Sequence, residues 1–165
     1  MTSAGPGLGG LAWGGPSAGG PSLGGAGRAA LAMPPGSGEQ VFPARPEQVG
    51  AARRFVARLL SGAPVADDAV LCVSELTGNC VSHSVSGCPG GTFTVRVELH
   101  DGDYVWLEVA DQGGPWRPSA PDGRVHGLEI VRRLATESGV AGSVFTGWEA
   151  WARLDWPGHG FQGRR

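Results

Sequence analysis

Apolar residues recur at helical spacing in "RPEQVGAARRFVARLL", where Val49, Ala52, Val56, Leu59 and Leu60 share one side and predict an amphipathic helix. Pro46 suits its first turn, because the N–H that proline lacks has no helical partner there. The breaker run "SGAP" ends it. A second helix is expected from about Asp67 or Asp68, which suit a cap or the positive helix start. Ala69, Cys72, Val73, Leu76 and Cys80 form its core stripe. The period then changes to two. "GTFTVRVEL" puts Phe93, Val95, Val97 and Leu99 on one face, "HDGD" is a hairpin signal at Asp101-Gly102, and "YVWLEVA" returns with Val105, Leu107 and Val109 inward. After the breaker-rich "DQGGPWRPSAPDGRV", Leu128, Val131, Leu134 and Ala135 predict a third helix in "HGLEIVRRLATE". A closing strand over Trp148 to Asp155 alternates Ala150, Ala152 and Leu154 with Trp151 and Arg153. The order helix, helix, strand, strand, helix, strand predicts an α/β (α+β) two-layer sandwich, with a mixed or antiparallel sheet covered on one face by helices.

Composition divides the chain of 165 residues. Residues 1–40 hold 13 of the 30 glycines and five of the 13 prolines, and only Arg28 and Glu39 carry charge. Without a periodic apolar pattern they cannot offset their ordering entropy by burial, so this segment is expected to be disordered. The same holds for the tail 158–165, which leaves 41–157 as one domain. No apolar run is long enough to span a membrane, and a net charge of −2 gives no electrostatic case for direct nucleic-acid binding. A cytoplasmic location is the expectation. Cys72, Cys80 and Cys88 form no disulfide framework. "CVSHSVSGC" lacks the paired spacing and fourth ligand of a metal–thiolate site, which leaves reduced, mostly buried thiols.

Three polar or glycine-rich features punctuate the core. Glu75 and Asn79 are one helical turn apart, within about 40° of each other, and flank the apolar stripe of the second helix. Gly78 between them costs about 1 kcal/mol relative to alanine in a helix, and would let a segment or ligand come close. Asp111 ends a strand ahead of Gly113-Gly114, and Gly127 begins a helix. Singly, each has an ordinary explanation: a solvated helix face, a turn, an entry geometry.

Taken in order, "SELTGN", "VADQGGP" and "HGLEIV" resemble the three boxes of the GHKL (Bergerat-fold) ATP-binding domains. The closest likeness is to the small branch of anti-sigma factor serine/threonine kinases, over roughly Val41 to Asp155. The resemblance implies ATP and Mg²⁺ as cofactors. It assigns a metal ligand to Asn79, the catalytic base to Glu75, and the acceptor of the adenine amino group to Asp111. Gly113 is implied as the glycine that lets backbone approach the base, and Gly127 and Leu128 as the helix start facing the phosphates. Gly114 to Val125 would form a lid. One carboxamide oxygen is a plausible part of a Mg²⁺ shell otherwise made of phosphate and water, and a carboxylate offers the adenine amino group acceptors alone.

The implied function is phosphorylation of an antagonist protein with Mg-ATP, in transcription regulation, with that protein or a sigma factor as regulatory partner and a homodimer as a possible state. Three departures motivate an alternative, a nucleotide-sensing module that holds its partner without turnover. Pro115 replaces the last glycine of the second box, Val125 replaces a glycine of the third, and Glu149 stands where the family has a threonine. Glu149 is expected to bring an unfavourable charge near the phosphates. His83 reads as a structural hydrogen-bonding residue. Trp148, Trp151 and Trp156 read as packing, and Trp116 as a lid residue able to stack on a base or a partner.

Overall fold

The computed structural model describes residues 33–100, 102–114 and 127–158. In chain order the elements are β1 (Gly38–Pro43), α1 (Pro46–Leu59), α2 (Ala66–His83), β2 (Thr92–His100), β3 (Tyr104–Ala110), α3 (Gly127–Leu134), β4 (Glu137–Ser143) and β5 (Gly147–Asp155). The strands form one sheet in the order β1-β2-β3-β5-β4, with every neighbouring pair antiparallel. The expected two-layer α+β sandwich is the architecture observed. The expected disorder of residues 1–32, the lid from Pro115 to Val125 with Trp116, and the tail beyond Gly158 lie outside the described residues.

Alternation builds the core. Phe93, Val95 and Val97 of β2, Val105, Leu107 and Val109 of β3, and Ala152 and Leu154 of β5 are all buried on one face. Against them pack Ala52, Phe55 and Val56 of α1, Ala69, Cys72, Val73, Leu76 and Cys80 of α2, and Val131 of α3. Inside α2, Ser74 and Thr77 donate their hydroxyls to the carbonyls of Val70 and Val73, four residues back, at 2.9 and 2.6 Å. That local bond lets Thr77 be fully buried at no unsatisfied cost.

Four details depart from expectation. Two strands carry no apolar alternation and are found only in the structure: β1 and β4. Strand β1 begins at Gly38 and so straddles the boundary that composition places after residue 40, because it is held by its backbone register with β2 rather than by an apolar stripe. Its Phe42 is the exception, wedged between Phe55 (6.0 Å, edge-on) and Phe93 (5.4 Å, stacked). Helix α2 is preceded by Val65 with no side-chain cap, so Asp67 and Asp68 act only as first-turn carboxylates at the positive helix end. At Gly78, an added Cβ would have no neighbour within 4 Å among the described residues, so none of them makes a close approach there.

Candidate functional site

The site forms where α2, the C-terminal end of β3 and the start of α3 meet. A cleft of about 50 Å³ is lined by Leu76, Asn79, Cys80, His83 and Ser84 of α2 and its end, with Val109, Asp111, Leu128, Val140, Trp148 and Ala150 opposite. The helical period explains the first set: Leu76, Asn79, Cys80 and His83 recur at three and four residues, hence on one side of α2. The strand period explains the second, since Trp148 and Ala150 share the inward face of β5. Small-molecule pockets begin at roughly 300 Å³, so a nucleotide needs this cleft to widen.

Asp111 is fixed at the centre of a tightly bonded loop. Its Oδ1 accepts the backbone N–H of Gly113 at 2.6 Å and that of Trp148 at 3.0 Å, while its own N–H donates to the Trp148 carbonyl at 2.8 Å. The next residues are held equally closely. Gln112 donates its N–H to Ser86 Oγ at 2.8 Å and its side chain accepts from Thr92 N–H at 3.1 Å. The Gly113 carbonyl accepts from Val85 at 2.9 Å, and Gly114 donates to the Val144 carbonyl at 3.0 Å and accepts from the Trp148 indole at 3.2 Å. Gly113 has φ +83°, and a Cβ there would lie 2.8 Å from the Val144 carbonyl, so only glycine fits.

Asn79, Asp111 and Leu128 therefore line one cleft, and Gly113 touches it through its bond to Asp111. Glu75 stands one turn before Asn79, half-buried, against the first residue of α3: a Cβ on Gly127 would be 2.6 Å from Glu75 Oε2 and 3.2 Å from Glu75 Cβ. All six residues singled out in the sequence are thus in or beside the same junction. Glu149 is the correction. Its register opposite Ala110 puts it on the outer face of the sheet, turned from the cleft, where it is bonded to Glu108. The unfavourable charge expected beside the phosphates is absent from this side of β5.

The sequence reading missed the cleft positions of Cys80, Trp148 and Val140, and the Ser86 hydroxyl that holds the Gln112 amide. Alternation of Trp148 with Ala150 was the available signal for one of them; Val140 belongs to the strand without a pattern. Burial, and then the negative charge of the nearby Asp111 carboxylate, push the Cys80 thiol well above the ordinary thiol range. Cys72 is pushed up to about 12 by burial first, then by Asp68 and Glu75. Both thiols are protonated and inert at neutral pH.

The donor set suits a nucleotide with a hard cation. Asp111 offers an acceptor among apolar walls, and Asn79 offers a carboxamide oxygen. Among the described residues no three His, Cys, Asp or Glu side chains converge as a metal cage. No helix of the described residues is long and apolar enough to cross a membrane.

Comparison with known proteins agrees with this geometry. A crystal structure of the RsbU and RsbW domains of Rv1364c from Mycobacterium tuberculosis superposes with a TM-score of 0.52 at 20% identity, covering 72% of this chain and 32% of that one. The chain thus spans about a third of that protein's length, and at this identity the likeness speaks for the fold. No curated protein sequence matches significantly. Residues 42–143, well over half of the chain, match the family described as the histidine kinase-like ATPase domain, and the chain belongs to that family.

Proposed function

We propose that this protein is an ATP-dependent protein serine/threonine kinase of the anti-sigma type, which phosphorylates an antagonist protein with Mg-ATP and so regulates transcription in the cytoplasm. The observation that carries the reading is the single cleft into which α2 delivers Asn79, β3 delivers Asp111 and α3 delivers Leu128, with Glu75 one turn away against Gly127. In this reading Asp111 accepts the adenine amino group, and the Gly113 amide keeps that carboxylate in place. Asn79 supplies one oxygen to Mg²⁺, whose chemistry is to neutralise phosphate charge. The first turn of α3, at Gly127 and Leu128, faces the phosphates with its free amides. Glu75 takes the proton from the partner's hydroxyl as its oxygen bonds to the γ-phosphorus and ADP leaves. Phosphoryl transfer relies on positioning and charge neutralisation, so one carboxylate beside one metal ligand is a sufficient protein contribution.

Titration of the full chain with ATP, with and without Mg²⁺, tests the first half. Binding that strengthens with Mg²⁺ and raises the melting temperature is expected, because a ligand that binds only the folded state stabilises it. Asn79→Ala should abolish the Mg²⁺-dependent part. Transfer of the γ-phosphate to candidate antagonist proteins tests the second half: Glu75→Gln should keep ATP binding and lose transfer. ATP binding with no transfer to any candidate, and partner binding unaffected by Glu75→Ala, would instead favour a nucleotide-sensing module that holds a sigma factor or other regulatory partner. Of the three departures that motivate this second reading, Glu149 is weakened as support by its place on the outer face, and Pro115 and Val125 lie outside the described residues.

A further inference from the structure

Helix α1 buries Ala52, Phe55 and Val56 in the core and leaves Arg53, Arg54, Ala57 and Arg58 exposed on its other side. A long side chain on a helix leans back over the turn before it, so Arg53 and Arg54 both reach toward the residue three or four positions earlier. That residue is Gly50. A Cβ placed on it would lie 3.5 Å from Arg54 Nη1 and 3.8 Å from Arg53 Nη2. Two guanidinium groups therefore converge on one bare patch of helix. Arg58 stands one turn beyond Arg54 on the same side.

No described residue answers that charge. Arg53, Arg54 and Arg58 take part in no ion pair or hydrogen bond among the described residues, and Glu47, the one acid of α1, pairs with none of them. Outside the described residues the sequence holds two acids, Asp101 and Asp122, against five arginines, Arg28, Arg117, Arg124, Arg164 and Arg165. Those segments bring more positive charge than negative. Like charges gathered at one spot repel, and each guanidinium presents a fork of donors whose geometry matches an oxyanion.

Spacing narrows the kind of anion. Arg54 and Arg58 are four residues apart, so their side chains leave the helix about 6 Å from each other, which is also the separation of two carboxylates one turn apart on a facing helix. A continuous polyanion fits less well. The net charge is −2, and Asp67 and Asp68 are exposed in the first turn of α2, which follows α1 after a short loop. We propose that the exposed side of α1 docks an acidic helix of a protein partner, with Arg53 and Arg54 gripping one carboxylate over Gly50 and Arg58 taking another a turn further along. No α1 residue lines the nucleotide cleft, so this surface does not depend on what the cleft binds.

The probe is an alanine-based helical peptide with glutamates spaced one turn apart, set against the same peptide with glutamines in their place. Binding of each to the full chain is followed by fluorescence anisotropy at low ionic strength. The glutamate peptide is expected to bind about tenfold more tightly, because exposed ion pairs are weak singly and an array of them adds up, and to weaken as salt rises. The double variant R53Q/R54Q should lose that preference. Arg133→Gln, which removes an exposed arginine already paired with Glu129, should keep it. Arg53→Glu combined with Arg54→Glu should reject the glutamate peptide and accept one bearing arginines, an exchange that misfolding cannot produce. R53Q/R54Q should also melt no lower than the native chain, since it relieves repulsion; a lower melting temperature would give these arginines a structural role and overturn the proposal. Equal binding of both peptides to the native chain, or a preference that survives in R53Q/R54Q, overturns it as well. So does tighter binding of duplex DNA or of phosphatidylserine vesicles than of the glutamate peptide. Self-association of the native chain that disappears in R53Q/R54Q would assign the surface to a second copy instead.

Discussion

At the scale of single residues, the site depends on which glycines have a neighbour and which do not. Gly127 lies so close to Glu75 that a side chain would meet its Oε2 at 2.6 Å and its Cβ at 3.2 Å. The carboxylate end can swing away, whereas the Cβ moves only with the helix. Gly127→Ala should therefore turn Glu75 from its place, cutting phosphate transfer by up to about a hundredfold, the usual cost of a displacement near 1 Å, with a smaller loss of ATP affinity. Single-turnover transfer set beside equilibrium binding would show that split, and equal losses in both would refute it. Gly78 makes the opposite case. It lies within α2, where a Cβ meets nothing among the described residues, so Gly78→Ala should raise the unfolding free energy by up to about 1 kcal/mol through helix propensity alone. Urea denaturation would reveal the gain. A drop in ATP affinity in the same variant would mean that a ligand or segment does approach that turn after all.

At the scale of elements, legibility followed periodicity. Helix α2, the β2–β3 hairpin and β5 all announce themselves because one face of each is apolar at the right spacing and the structure buries that face. Strand β4 could not be read this way: "ESGVAGS" has two glycines and no alternating stripe. One of those glycines, Gly139, lies so close to the Trp151 ring that a Cβ would be 2.8 Å from it, so the position is chosen by a neighbour on β5 rather than by a local pattern. The same logic governed the site. Asn79, Asp111 and Leu128 were legible from spacing and box order, whereas the place of Cys80 and Val140 in the cleft exists only once α2 is packed on the sheet. Strand β1 shows how much stability such an unannounced element can hold. Phe42 is 2% exposed and joins Phe55 of α1 to Phe93 of β2, so Phe42→Ala should cost about 3 kcal/mol or more. Chemical denaturation with an unchanged slope would confirm that β1 unfolds with the rest; a loss below about 1 kcal/mol would show it to be an independent, fraying edge.

At the scale of the whole molecule, the two faces of the sheet carry different electrostatics. The inward face holds the cleft. The outward face has a stacked pair of indoles, Trp106 on Trp151 with ring centres 4.6 Å apart, beside the carboxyl pair Glu108 and Glu149. Burial, and then the charge and hydrogen bond of Glu149, push Glu108 up to about 7, against the opposing pull of Trp106 and Arg96. Arg96 is itself engaged by Glu98 at 2.7 Å and Glu39 at 3.8 Å, which limits what it can do for Glu108. The unfolded chain releases this proton near the ordinary value of 4.5, while the folded chain keeps it to about 7. Between those limits the native state binds more protons than the unfolded state, so stability falls as pH rises through the window and levels off above it. Urea melts at intervals from pH 5 to pH 8 should show this decline. Glu108→Gln cannot lose a proton but can still hydrogen-bond to Glu149, so it should flatten the profile and be more stable than the native chain at pH 8. An unaltered slope in that variant would place the titration elsewhere. Because Glu149 directly follows Trp148, whose amide holds Asp111, the same variant also tests whether charge on the outer face reaches the cleft: ATP affinity that tracks the stability profile would show the two faces to be coupled through β5.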